Sequence, residues 1–85
     1  MQNVKDSKIE YPTLWEYLII TNNKETLEFA IKEKFEMLDY TLNPSKESKN
    51  GRYASFTFTI QVISQKERDD IFKILTKIED VKFVV

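Results

Sequence analysis

From Tyr53 to Ile63 the chain alternates with a period of two. Ala54, Phe56, Phe58, Ile60 and Val62 fall on one side, and Tyr53, Ser55, Thr57, Thr59 and Gln61 on the other. Alternation sustained this long is a β-strand with one buried face and one face toward water. It requires a sheet, and an apolar layer that covers only one side of that sheet. A chain of 85 residues has room for one such pair of layers and no second domain.

Two helical stripes supply the cover. Leu27, Ala30, Ile31, Phe35 and Leu38 recur at helical spacing. Asn22 reads as the N-cap of that helix, with Glu25 three residues on as the second half of a capping box. Glu28 before Lys32 is a favourable i,i+4 pair on its wet side. A second box, Ser64 with Glu67, precedes Ile71, Ile74, Leu75 and Ile78, with Phe72 beside them.

Three more strands complete the sheet. Leu14 to Thr21 is rich in aromatic and β-branched residues, and Pro12 lies just before it, where a missing N–H does least harm. Asp39 to Asn43 is short, with Tyr40 and Leu42 on one face, and Val81 to Val85 closes the chain. Pro44 to Gly51 reads as a loop, and its Asn50-Gly51 pair is a strong turn signal because both residues tolerate positive φ. The order is therefore β-α-β-β-α-β. Right-handed crossovers leave one economical arrangement, the α+β ferredoxin-like plait: a four-stranded antiparallel sheet in order 4-1-3-2 with both helices on one face. This domain is expected to occupy residues 11–85. Residues 1–10, polar and mixed in charge, read as a flexible arm.

In such a plait one sheet face stays open, and charges mark it. Glu16 places Leu14, Leu18 and Ile20 on the open face, with Trp15, Tyr17 and Ile19 toward the helices. Lys82, used in the same way, adds Val84 to the open face and turns Val81, Phe83 and Val85 inward. Leu14, Leu18, Ile20 and Val84 thus form an expected apolar patch beside the polar row Ser55, Thr57, Thr59 and Gln61. A contiguous apolar patch with a polar rim is a usual mark of a protein interface. The last strand is also a sheet edge guarded by a single Lys, of the kind that accepts another strand.

Chemistry is constrained by what is missing. The chain has no His and no Cys, which removes the commonest general base, the commonest metal ligand, thiolate catalysis and disulfides. Its single Gly cannot build a phosphate-cradling loop, and no calcium-loop pattern occurs. Asp69 and Asp70 are adjacent on a helix and diverge. No catalytic residue, cofactor or metal is therefore expected, and the chain reads as non-enzymatic.

Thirteen Lys and Arg against fourteen Asp and Glu give a net charge of −1, with no global pull on nucleic acid. Gly51-Arg52-Tyr53 leading into Ser55-Phe56-Thr57-Phe58 faintly resembles an RNA-recognition strand, but the phase buries Phe56 and Phe58, so RNA binding is a remote alternative. The locally basic hairpin residues Lys46, Lys49 and Arg52 form a candidate anion site. No run approaches the ~18–20 apolar residues of a membrane span, nor is there a signal-peptide core, so a cytoplasmic protein without membrane contact is expected. A protein partner or self-association is the first expectation for binding, and a small molecule the second.

Several short motifs, taken together, carry a family resemblance. Glu10-Tyr11-Pro12-Thr13 leads into an aromatic strand; Pro44-Ser45 is followed by Gly51, Tyr53 and Ser55; Val81 and Val84 close the chain. In order and spacing this resembles the YbeD-like family of small uncharacterised bacterial proteins, over about Ile9 to Val85. The resemblance implies a ferredoxin-like plait similar to the ACT regulatory domain, which binds amino acids and controls metabolic enzymes. It carries no defined activity. ACT domains that bind amino acids commonly have a Gly-containing turn after the first strand, where this chain has Thr21-Asn22-Asn23.

Overall fold

The computed structural model describes residues 9–47 and 52–85, with Lys46 and Glu47 as backbone only. Its elements run β1 (Thr13–Thr21), α1 (Lys24–Phe35), β2 (Tyr40–Glu47), β3 (Ala54–Val62), α2 (Gln65–Thr76) and β4 (Val81–Val84). The strands form one antiparallel sheet in order β2-β3-β1-β4, which read from the other edge is the expected 4-1-3-2. The fold is the ferredoxin-like α+β plait.

The long alternating strand does what its pattern requires. Phe56, Phe58, Ile60 and Val62 are buried beneath the helices, together with Tyr17 and Ile19 of β1. Leu27, Ile31 and Phe35 from α1 and Ile71, Leu75 and Ile78 from α2 and its exit close the core from above. Phe58 is its centre: the rings of Phe35, Tyr40 and Tyr17 lie 5.1, 5.6 and 6.1 Å from it, all tilted rather than stacked face to face. Such tilted geometry suits ring quadrupoles and adds to the burial of large apolar area.

Local details depart from the expected ones for identifiable reasons. The N-cap of α1 is Asn23, not Asn22: its Oδ1 accepts from the Thr26 N–H at 3.1 Å. Asn22 lies one residue before the cap, and its own N–H donates to the Asp80 carbonyl (3.2 Å), which ties it to the sheet end. Leu38 lies beyond the helix and is exposed. The second capping box forms, with the Glu67 N–H on Ser64 Oγ (3.1 Å), although the Glu67 carboxylate reaches back one residue further, to the Ile63 N–H (2.8 Å). On α2, Ile74 and Phe72 are partly exposed while Ile71 and Leu75 carry the packing.

The loop expected from Pro44 does not begin there. β2 continues to Glu47, and the register with β3 shifts between Pro44 and Lys46. β2 is an edge strand, where a proline's missing donor can face solvent and a bulge can absorb the irregularity.

At the opposite end of the sheet a small polar knot joins β1, α1 and β4. Thr21 is fully buried, and its hydroxyl donates to the Asp80 carbonyl (2.9 Å) while accepting from the Asn23 N–H (3.1 Å). Asp80 adopts φ 68°, in the left-handed region that Asp tolerates better than most residues. That turn aims the chain into β4 immediately after α2.

Candidate interaction surface on the open sheet face

The helix side of β1 fixes what its other side displays. Trp15 packs against the core under the Arg68 guanidinium, whose carbon sits 4.3 Å from the ring centroid in a cation–π contact. One turn of strand further on, the buried Tyr17 hydroxyl donates to the Arg68 carbonyl at 2.8 Å. Burial pushes the Tyr17 phenol up to about 12, against a smaller opposing effect of the Arg68 charge. A slip of one residue would expel both rings and Ile19 together, so the phase of β1 is strongly fixed. Leu14, Glu16, Leu18 and Ile20 are thereby held on the open face, where Leu14 is 68% and Leu18 38% exposed.

β4 departs from the expected phase. Ile19 pairs with Val84, Ile20 with Phe83 and Thr21 with Val81, so the register shifts and Lys82 is the extra residue. The bulge resets the alternation after Val81. Val84, expected on the open face, lies opposite the buried Ile19 and packs against the core. Phe83 and Val85, expected inward, are 62% and 74% exposed. Val85 exchanges both backbone hydrogen bonds with Leu18 (3.1 and 2.9 Å), which puts the two on the same side of the sheet. Val81 is packed inward as expected.

The open face therefore divides into two halves. Over β2 and β3 it is polar: Thr41 and Asn43 stand in register with Thr59 and Thr57, flanked by Ser55 and Gln61. Over β1 and β4 it presents Leu14, Leu18, Ile20, Phe83 and Val85, with Glu16 as the one charge along the β1 row. The sequence pattern located three of these five apolar residues. Phe83 and Val85 were hidden because nothing in Val81-Lys82-Phe83-Val84-Val85 marks the position of a bulge.

Other parts of the surface offer less. Of the candidate anion site, Lys49 lies outside the described residues, Lys46 is described only in its backbone, and Arg52 is exposed. An open groove of about 370 Å³ runs between the end of α1 and the start of α2, lined by Met37, Leu38, Asp39, Ile63, Glu67 and Ile71. Its Glu67 carboxylate is engaged in capping α2. Among the described residues no three acidic side chains gather as metal ligands would, and no helix is long and apolar enough to cross a membrane.

Residues 6–85 match the family model described as "Protein of unknown function (DUF493)". The chain belongs to this family. It is the YbeD-like family that the sequence motifs resemble. Among relatives of this DUF493 chain, an uncharacterized protein of Helicobacter pylori strain ATCC 700392 / 26695 is 32% identical over 79 residues, covering 91% of this chain and 90% of that protein. The uncharacterized protein Cj0253 of Campylobacter jejuni is 32% identical over 68 residues, covering 80% and 78%. The fold is similar to the solution structure of protein HP0495 from H. pylori, with a TM-score of 0.79 at 28% identity, covering 100% of this chain and 97% of that one.

Proposed function

We propose that this DUF493 chain is a non-catalytic interaction module that docks a protein through the β1–β4 half of its open sheet face. The observation behind this reading is the sidedness of that face. One half is hydroxyls and amides, and the other is Leu18, Ile20, Phe83 and Val85 in register, with Leu14 beyond Glu16 on the same face. A small domain gains nothing in stability from leaving Phe83 and Val85 in water. Apolar surface costs about 25 cal/mol per Å² when hydrated, and a partner that covers it recovers that cost. The lack of His and Cys supports a role without chemistry of its own.

Site-specific photocrosslinking in the native cell tests this reading. A photoreactive side chain at Leu18 or Phe83 should give discrete protein adducts, whereas the same group at Thr57 should give few. Equal adducts at all three positions, or none at any, would remove the reading. Leu18→Lys should abolish the adducts formed from Phe83 while leaving the unfolding midpoint nearly unchanged.

A further inference from the structure

Arg68 is fixed at both of its ends. Its carbonyl accepts the Tyr17 hydroxyl at 2.8 Å, and its guanidinium lies over the Trp15 ring, 4.3 Å from the centroid. Arg68 and Trp15 are both half-buried. A ring face attracts the charge but offers no lone pair to the guanidinium's N–H donors. Among the described residues no oxygen accepts from those donors and no carboxylate pairs with them. The acidic neighbours along α2 are engaged elsewhere: Glu67 holds the Ile63 N–H (2.8 Å) and Asp70 holds Lys66 Nζ (3.0 Å). Position on α2 does not account for an arginine either, because the N-terminal turns of a helix favour negative charge. The side chain is thus a pre-positioned fork whose charge has a partner and whose hydrogen bonds do not.

We propose that Arg68, held over Trp15, binds a small carboxylate with an apolar body. A carboxylate is planar, and its two oxygens match the spacing of the guanidinium fork. Phe72 follows Arg68 by one turn on the same side of α2 and is 40% exposed. Side chains on a helix lean toward its N-terminus, which carries the Phe72 ring toward Arg68 and gives an apolar wall beside the charged head. The surroundings choose among oxyanions. The Glu67 and Asp69 charges reach the Tyr17 phenol, and that phenol touches the Arg68 backbone, so negative charge already surrounds the site. One arginine in that field suits a singly charged carboxylate better than a doubly charged phosphate. The site lies on the helix side of β1, behind the proposed docking face, so the two readings stand or fall separately.

Trp15 is the chain's single tryptophan, so its fluorescence reports on the site directly. The full chain is titrated at constant ionic strength, with each variant's fold checked by thermal unfolding. Hexanoate should change the emission saturably, acetate should do so about three- to tenfold more weakly, and inorganic phosphate and chloride should not. Arg68→Lys, which keeps the charge but not the fork, should weaken hexanoate about tenfold, and Arg68→Gln should abolish the response. Phe72→Ala should bring hexanoate down to the level of acetate. A response that survives Arg68→Gln, that phosphate matches, or that neither carboxylate produces would overturn the proposal. A photoreactive side chain at Phe72 in the native cell separates the sources of the carboxylate. No discrete protein adduct is expected there; one that Arg68→Gln abolishes would place the carboxylate on a partner protein and sink the small-molecule assignment.

Discussion

The two edges of this sheet follow opposite rules. β2 is the longer, at 8 residues, yet it is interrupted by Pro44 and a register shift and lines a polar half of the open face. β4 is the shorter, at 4 residues, and leads an apolar half to the rim of the molecule. Both strands border the same sheet and core, although β2 orders twice as many residues as β4. What separates them is what they present: β2 a proline and a register shift beside hydroxyls and amides, β4 a short apolar run after its own bulge beside an apolar half. The position of function in a small plait can thus be sought in the asymmetry between its edges.

The comparison can be broken most forcefully from inside. Phe58→Ala removes the ring on which Phe35, Tyr40 and Tyr17 converge and should cost about 3–5 kcal/mol, enough to lose both halves together in a denaturant titration. If only one edge melted, the shared core would not be what supports both.

The β4 end depends on the knot at Thr21 and Asp80. Thr21→Val removes the acceptor of the part-buried Asn23 N–H and one of the two donors to the Asp80 carbonyl, and should cost about 1–3 kcal/mol. Asp80→Val should cost about 1–2 kcal/mol at its left-handed φ, while Asp80→Gly should be neutral or better. Hydrogen exchange should show these losses first in β4 rather than in β2.

Tyr17 offers a pH handle on the same side. Its phenol is held above the ordinary value of 10.0, at about 12, mainly by burial. The folded state therefore favours the protonated phenol, so this contribution is complete below pH 10 and is lost as pH rises from about 10 to about 12. Thermal unfolding of the wild type should fall across that window, and Tyr17→Phe should flatten the fall. The smallest effects on stability should come from the edges themselves. Phe83→Lys and Pro44→Val should each change unfolding free energy by less than about 0.5 kcal/mol. The first should reduce the adducts formed from Leu18, and the second should leave them unchanged, because Pro44 lies on the opposite edge of the sheet.

Much of this was legible in the residues. The Tyr53–Ile63 alternation, the two apolar helix stripes and Ser64 with Glu67 were enough to state the order of elements and the sheet topology. The phase of β1 was readable from Glu16 because Trp15, Tyr17 and Ile19 agree with it on the other side. The same reasoning failed at Lys82. There the charged residue is itself the inserted one, so it marks no face. Asn22 failed as a cap because the helix starts one residue later, at Lys24, and two adjacent asparagines offer the same local signal.

By itself, then, the sequence determined the plait, its core and the polar half of the open face, because those follow from periods of two and of 3.6 that each segment carries within it. Only the tertiary structure decided which residues of β4 face water. Asp80 is held by Thr21 and Asn22, Val81 is set opposite Thr21, and a single extra residue then turns Phe83 and Val85 outward and Val84 inward. A bulge is a property of two strands meeting, and it leaves no trace in either strand alone.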